Sequence, residues 1–379
     1  MSYSLSLKKS STLRKLATCL PLALLIGGLA GGDASAKPDR NGPIMLSRSG
    51  GFEIGGKVIV NPDNPGQTLS CDHGYVEYFI PWKPRRTSLV MWHSSSSQVW
   101  QNRWDGGEGY KDKFLRRNYP VYLWDGPRVG RANWSCEPME YVPGYRDQGN
   151  FTAWKFGPVA PQGTPKPSDF YQGVQFPINS KEAWNQATRA RYVEFDTGAN
   201  IQLQTDVAAV AADSGKLGNS IVYLTNSAGG LRAMVTTTKA KKGNIAGIVT
   251  YESIGYVFPE GDPESPPACT DPGPRCAFGP IVVPLEDFKK LGKLRGIQFV
   301  WGDNRPETDP QVVYSRLAAK LINKYGGNAS VLVLGREAGL WGSTHIPFAD
   351  MDNHKVAALL DRFLKMNMLD GYGRNPHRN

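Results

Sequence analysis

Ile221-Val222-Tyr223-Leu224-Thr225-Asn226-Ser227-Ala228-Gly229-Gly230 is the stretch on which the reading of this chain turns. Its first four residues are β-branched, aromatic or aliphatic, as in a strand buried on both faces. A helix expected over Ala228–Lys239 follows with no room for a loop. The joint is therefore a sharp turn, and its small residues are needed because the chain there passes close to itself. A serine at such a turn reads as a nucleophile elbow. The helix N-terminus would offer N–H groups and a positive dipole end to an oxyanion. Thr225 stands where the pattern G-x-S-x-G has its first glycine, and a serine at this place can also serve simply as a helix N-cap.

A serine nucleophile needs a base, and downstream of Ser227 the only histidines are His345, His354 and His377. His345 ends Gly342-Ser343-Thr344-His345, a small-residue loop after the last strand that can bring an imidazole over the carboxyl end of a sheet. His354 begins the final helix and His377 lies in a polar tail, both positions for a solvated side chain. Two acids could orient the imidazole: Glu252, which follows the strand Ile245–Tyr251, and Asp303, which follows Leu294–Trp301.

Working outward, alternation over Gly51–Val60 predicts a half-buried strand, and Val76–Ile80 a second. Ser88–Trp92 and Val121–Trp124 read as buried strands. A helix near Leu203–Ser214 precedes the central stretch. Beyond it come an amphipathic helix over Pro310–Tyr325, a strand over Ser330–Leu334 and a last helix over Asn353–Met366. Buried strands alternating with helices indicate a mostly parallel sheet covered on both faces. Residues 135–200 are rich in Pro, Gly, Trp and Tyr with weak periodicity. That is too long for plain loop, so small elements of its own are expected there.

The chain resembles the α/β-hydrolase superfamily, particularly secreted bacterial carboxylesterases. The resemblance is carried by the His93 loop, Asp105-Gly106-Gly107-Glu108-Gly109 and Val121-Tyr122-Leu123-Trp124-Asp125-Gly126-Pro127. Thr225-Asn226-Ser227-Ala228-Gly229-Gly230, Trp301-Gly302-Asp303-Asn304 and Gly342-Ser343-Thr344-His345 carry it further. The order Ser, acid, His matches that fold and neither the chymotrypsin nor the subtilisin order. The resemblance implies one catalytic domain over 37–379, with residues 135–200 inserted as a cap. It implies cleavage of a small-molecule ester through an acyl-enzyme, with no metal or organic cofactor. It favours Glu252 as the acid, since the related esterases place a glutamate after the sixth strand. The oxyanion donors would be the N–H groups of Ala228 and Ser94; the family usually has His-Gly where this chain has His93-Ser94. His93 would be structural. Trp100, Trp104, Trp124, Trp134 and Trp154 are candidates for an acyl-pocket wall. An amidase, a lactonase or a lyase would suit the same residues, and a silent exported binding protein could retain the scaffold.

The full chain has 379 residues, 40% hydrophobic, with a formal charge of +10. Lys8, Lys9, Arg14 and Lys15 precede an apolar stretch from Leu16 to Leu29, and Ala34-Ser35-Ala36 follows: a secretory signal over residues 1–36, and export to the periplasm or medium. Its removal takes four basic groups and one acid, leaving +7 over 343 residues. The remaining basic residues are scattered, which argues against specific nucleic-acid binding. No apolar run reaches the roughly 20 residues that span a bilayer. Four cysteines remain after residue 36, and an even number in an exported chain suggests two disulfides. Three connectivities are open. Cys269 and Cys276 enclose a short Pro-Gly-Pro loop and are natural partners, which leaves Cys71 with Cys136. Asn133, Asn150 and Asn328 begin glycosylation sequons.

Overall fold

The computed structural model describes residues 42–93, 96–269 and 274–372. The expected signal over residues 1–36, Ser94 and His377 lie outside them. In chain order the first strands are β1 (Leu46–Ile54), β2 (Lys57–Asn61), β3 (Asn64–Cys71), β4 (Gly74–Pro81) and β5 (Ser88–His93). Helix α1 (Tyr110–Arg116), β6 (Val121–Asp125), α2 (Asp147–Ala153), α3 (Lys181–Arg189) and α4 (Gly198–Ser214) follow. The central unit is β7 (Ile221–Asn226), α5 (Ala228–Lys239) and β8 (Ile245–Tyr251). Then come β9 (Val257–Pro259), β10 (Ile281–Val283), α6 (Leu285–Gly292), β11 (Gly296–Trp301) and α7 (Pro310–Lys324). The last elements are β12 (Ala329–Val333), α8 (Leu334–Ala338) and α9 (Asn353–Met366).

Eight strands form one sheet in the order β1-β4-β6-β5-β7-β8-β11-β12. All pairings from β6 to β12 are parallel; β4 pairs antiparallel with both β1 and β6, so it alone runs against the rest. Successive strand residues face opposite sides, and the core divides accordingly. Val90, Trp92, Ile221, Tyr223 and Ile248 lie in one buried cluster with residues of α4, α5, α6 and α7. Leu89, Met91, Val222, Leu224 and Val249 lie in the other with residues of α1 and α9. The strands can be apolar throughout because each face has its own helical cover.

The mostly parallel sheet flanked by helices is the architecture read from the sequence. The single strand expected over Gly51–Val60 is instead two. Gly55 and Gly56 adopt φ of 69° and 77° and turn the chain from β1, in the main sheet, into the separate β2–β3 hairpin. Helix α4 starts at Gly198, before the expected Leu203, where the Thr197 hydroxyl accepts from the Asn200 N–H. Within residues 135–200 the short helices α2 and α3 appear, and Phe151, Phe156, Phe176 and Trp184 are buried with Trp104 in the second cluster. The disulfides are Cys71–Cys136 and Cys269–Cys276. Among the described residues no helix is long and apolar enough to cross a membrane.

Candidate active site

Parallel β7, β8 and β11 are neighbours, so the residues that follow them meet at one edge of the sheet, where ligands of such folds bind. Ser227, after β7, has φ 55° and ψ −132°, a strained conformation for a residue with a Cβ. Its N–H donates to the Tyr251 carbonyl and its carbonyl accepts from Gly230 and Ile254, which holds the turn in that strain. Ser227 occupies the N-cap position of α5, yet its hydroxyl makes no capping bond. The capping alternative is therefore not what the side chain does.

The small residues after it have separate duties. A Cβ on Gly230 would lie 2.1 Å from Ser253 Oγ and 2.5 Å from Thr250 Oγ1, and one on Gly229 would lie 2.6 Å from the Trp92 carbonyl and 3.3 Å from Thr225 Cβ. Thr225 can thus replace the expected first glycine because Gly229 opposite leaves it room.

Glu252, after β8, is fully buried and also has positive φ, 51°. Its Oε1 accepts from the Gly302 N–H at 2.7 Å, and its Oε2 lies 3.2 Å from His345 Nδ1. The Arg305 guanidinium pairs with the same Oε2 and with Asp309 at 2.9 Å. Burial pushes the Glu252 carboxyl up, but Arg305, His345 and the Gly302 N–H together hold it below the usual carboxylate range. Asp303 turns elsewhere: its Oδ2 accepts from the Gly342 N–H at 2.9 Å, and its own N–H donates to Ser343. Of the two candidate acids, Glu252 faces the imidazole, while Asp303 anchors the loop that carries it.

His345 is 4% exposed. Burial holds its imidazole below the ordinary 6.5 against the pull of Glu252, and Arg305 and Lys155 lower it further. The ring is therefore neutral near pH 7 and able to accept a proton. Its loop is fixed from several sides. Buried Asp350 accepts from the Thr344 N–H and hydroxyl, each at 2.7 Å, and from Trp104 Nε1 at 2.9 Å. The His345 N–H donates to the Trp154 carbonyl at 2.9 Å. Asn226 Nδ2 donates to the carbonyls of both Tyr251 and His345.

Ser227, Ala228 and His345 line one cavity of about 500 Å³. Its other walls include Asn150, Trp154 and Lys155 from the 135–200 segment, Arg305, and Phe278 beside the Cys269–Cys276 bridge. Of the five tryptophans considered, Trp154 is the one that lines it. Trp100 is buried against Phe348 with ring centroids 3.7 Å apart, Trp104 and Trp124 fill core, and Trp134 is exposed. Buried His93 accepts from the Ser96 N–H at 3.2 Å; burial, then the charge of His345, lowers its pKa to about 3. Exposed His354 lies outside the cavity lining. Arg305, Asp350 and Asn226 were not among the sequence candidates. Asn226 adjoins Ser227 and Arg305 follows Asp303 by two, but their partners lie far along the chain. Among the described residues no group of three or more His, Cys, Asp or Glu is arranged to hold a metal ion.

No protein-family model and no curated protein matches the sequence. Solved structures do. A novel bacterial esterase superposes with a TM-score of 0.66 at 21% identity, over 86% of this chain and 98% of its own. An arylesterase (TM-score 0.38, 13% identity, 88% and 87% covered) is a more distant likeness. So is the brefeldin A esterase, a bacterial homologue of human hormone-sensitive lipase (0.36, 13%, 86% and 77%). The sheet order and the first of these define the class: the chain has an α/β-hydrolase fold. Within that class its architecture is similar to that of the bacterial esterase.

Proposed function

We propose that the protein is an exported serine hydrolase that cleaves carboxylic esters through Ser227, His345 and Glu252. The observation that carries this reading is the 3.2 Å approach of Glu252 Oε2 to His345 Nδ1 at the wall of the cavity that the strained Ser227 also lines. Bonded through Nδ1, the imidazole presents Nε2 as base. His345 takes the Ser227 hydroxyl proton as Oγ attacks the ester carbonyl. The tetrahedral oxyanion rests on the N–H of Ala228, at the first turn of α5, with Ser94 as the second donor. Collapse breaks the C–O bond, and the His345 proton leaves with the alcohol. Water, deprotonated by His345, then releases the acid and restores Ser227. Glu252 keeps the imidazole in the useful tautomer and stabilises its charged form.

Residues 135–200 act as the cap, since Asn150, Trp154 and Lys155 contribute cavity wall, and Phe278 brings the Cys269–Cys276 loop to the other side. Two disulfides suit an oxidising compartment, in keeping with a signal over residues 1–36. The test is turnover of short p-nitrophenyl esters by wild type and Ser227→Ala. Loss of turnover in a folded variant is expected. Equal rates would remove Ser227 from the mechanism, and inactivity of both folded proteins would favour a binding role.

A further inference from the structure

We propose that the preferred substrate is an ester carrying a second, ionised carboxylate, and that Lys155 is the residue that holds it; the inference rests on the hydrolase reading of Ser227.

The cavity wall carries Arg146, Lys155, Arg191 and Arg305 against Glu194 and Asp196. The carboxylates are already engaged. Asp196 pairs with buried Arg232, and Glu194 serves both Arg146, at 3.4 Å, and Arg191, at 3.6 Å. Arg305 is matched by Glu252 and Asp309. Among the described residues no carboxylate lies within ion-pairing distance of the Lys155 ammonium. Lys155 is half-buried, and burial, then the Arg305 charge, lowers its pKa. Glu252 and Asp309 act on it only from beyond ion-pairing distance, and a partly withdrawn cation with no paired carboxylate is favoured by a ligand that brings one into contact.

Its backbone is held at the end of α2. Lys155 follows α2 with φ 62°, and its N–H donates to the Thr152 carbonyl at 3.1 Å. The preceding carbonyl, that of Trp154, receives the His345 N–H. Lys155 lines the same cavity as Ser227 and His345, and its charge acts on the His345 imidazole, so an anion on it would sit near the reacting ester. A second observation agrees. Asn150, on α2, lines the same cavity, and its Nδ2 is buried with no acceptor among the described residues. Lys155 is the donor that faces the cavity without a paired carboxylate, and Asn150 Nδ2 is a second donor beside it without a partner among the described residues. A carboxylate supplies two oxygens and the missing charge. The second carboxylate does not react; hydrolysis consumes one water and yields one acid and one alcohol from the ester bond alone.

The test compares two anionic esters with their neutral counterparts. Monobutyl succinate, against butyl pentanoate, puts the charge on the acyl side; 4-acetoxybenzoate, against its methyl ester, puts it on the leaving group. The anionic-to-neutral ratio of kcat/KM is expected to fall about tenfold in Lys155→Met, the effect of losing one charge-assisted hydrogen bond. It should be largely kept in Lys155→Arg and fall further in Lys155→Glu. The side of the ester on which the fall appears locates the anion. Ratios equal in wild type and Lys155→Met on both pairs overturn the proposal. Binding of monobutyl succinate to Ser227→Ala, with and without Lys155→Met, separates this inference from the hydrolase reading. Tenfold weaker binding in the double variant supports the anion site even if no ester is turned over; equal binding overturns it.

Discussion

The side-chain amide of Asn226 donates to the carbonyl of His345 across 2.8 Å, so the residue before the proposed nucleophile holds the residue proposed as its base. The same Nδ2 reaches the carbonyl of Tyr251 at 3.0 Å, one residue before Glu252. Replacing Asn226 by Ala leaves buried carbonyls short of a donor, at a cost of about 1–3 kcal/mol. We expect a lowered Tm together with a tenfold or greater loss of kcat, measured on one preparation by thermal unfolding and ester turnover.

Glu252→Gln and Asp303→Asn separate orienting the imidazole from holding its loop. Glu252→Gln should lower kcat/KM by roughly 10³–10⁴, the scale seen when a triad acid becomes an amide. Asp303→Asn removes only the carboxylate that accepts from Gly342, and a loss of about tenfold or less is expected. A larger loss in Asp303→Asn would reverse the assignment.

The pH profile should carry the mark of the buried pair. In the proposed mechanism turnover needs neutral His345, and burial sets its pKa below 6.5, so the acid limb of kcat/KM should have its midpoint below that value. Arg305 opposes protonation of His345. Taking its charge away in Arg305→Met makes protonation easier, and the limb should move to higher pH. A shift to lower pH would contradict the electrostatics of the pair.

Gly302 is confined by its neighbours. A Cβ there would lie 2.7 Å from the Thr344 carbonyl and 3.1 Å from Glu252 Oε1, while its N–H is the Glu252 donor. Gly302→Ala should therefore separate the base loop from Glu252 and cut kcat, with little change in far-UV circular dichroism.

The bridges differ in reach. Cys71–Cys136 spans 65 residues and Cys269–Cys276 spans 7; loop-closure entropy assigns them about 4 and about 2 kcal/mol. The Cys71→Ser/Cys136→Ser pair should thus lower Tm more than Cys269→Ser/Cys276→Ser, as scanning calorimetry would show.

The buried strands were legible because both faces of β5, β7 and β8 are covered, which makes Ser88–Trp92, Ile221–Leu224 and Ile245–Tyr251 predominantly apolar. The break at Gly55-Gly56 was not, since alternation continues across it while the positive φ of both glycines turns the chain. At the site, Ser227 and His345 stood out through a tight turn and the scarcity of histidine. The choice between Glu252 and Asp303 could not be made by residue type: both follow strands at the same sheet edge, and the direction of each carboxylate depends on Gly302, Arg305 and Gly342. Asn226, Arg305 and Asp350 escaped notice for a related reason. Asn226 and Arg305 act through backbone or charge on segments distant in sequence, and Asp350 bridges the nearby Thr344 to the distant Trp104; such pairings leave no periodic trace.

The segment from Trp154 to Gln175 is stitched to the His345 loop by three backbone bonds. The His345 N–H donates to Trp154, the Gln175 N–H to Gly342, and the Met351 N–H to Gln175. Gly342 approaches so near that a Cβ on it would lie 2.0 Å from the Gly173 carbonyl. An insert from a related enzyme therefore cannot be transplanted here as a detachable specificity module. A chimera that exchanges it inherits a different support for the imidazole, so that, if His345 is the base as proposed, selectivity and turnover would have to be evolved together.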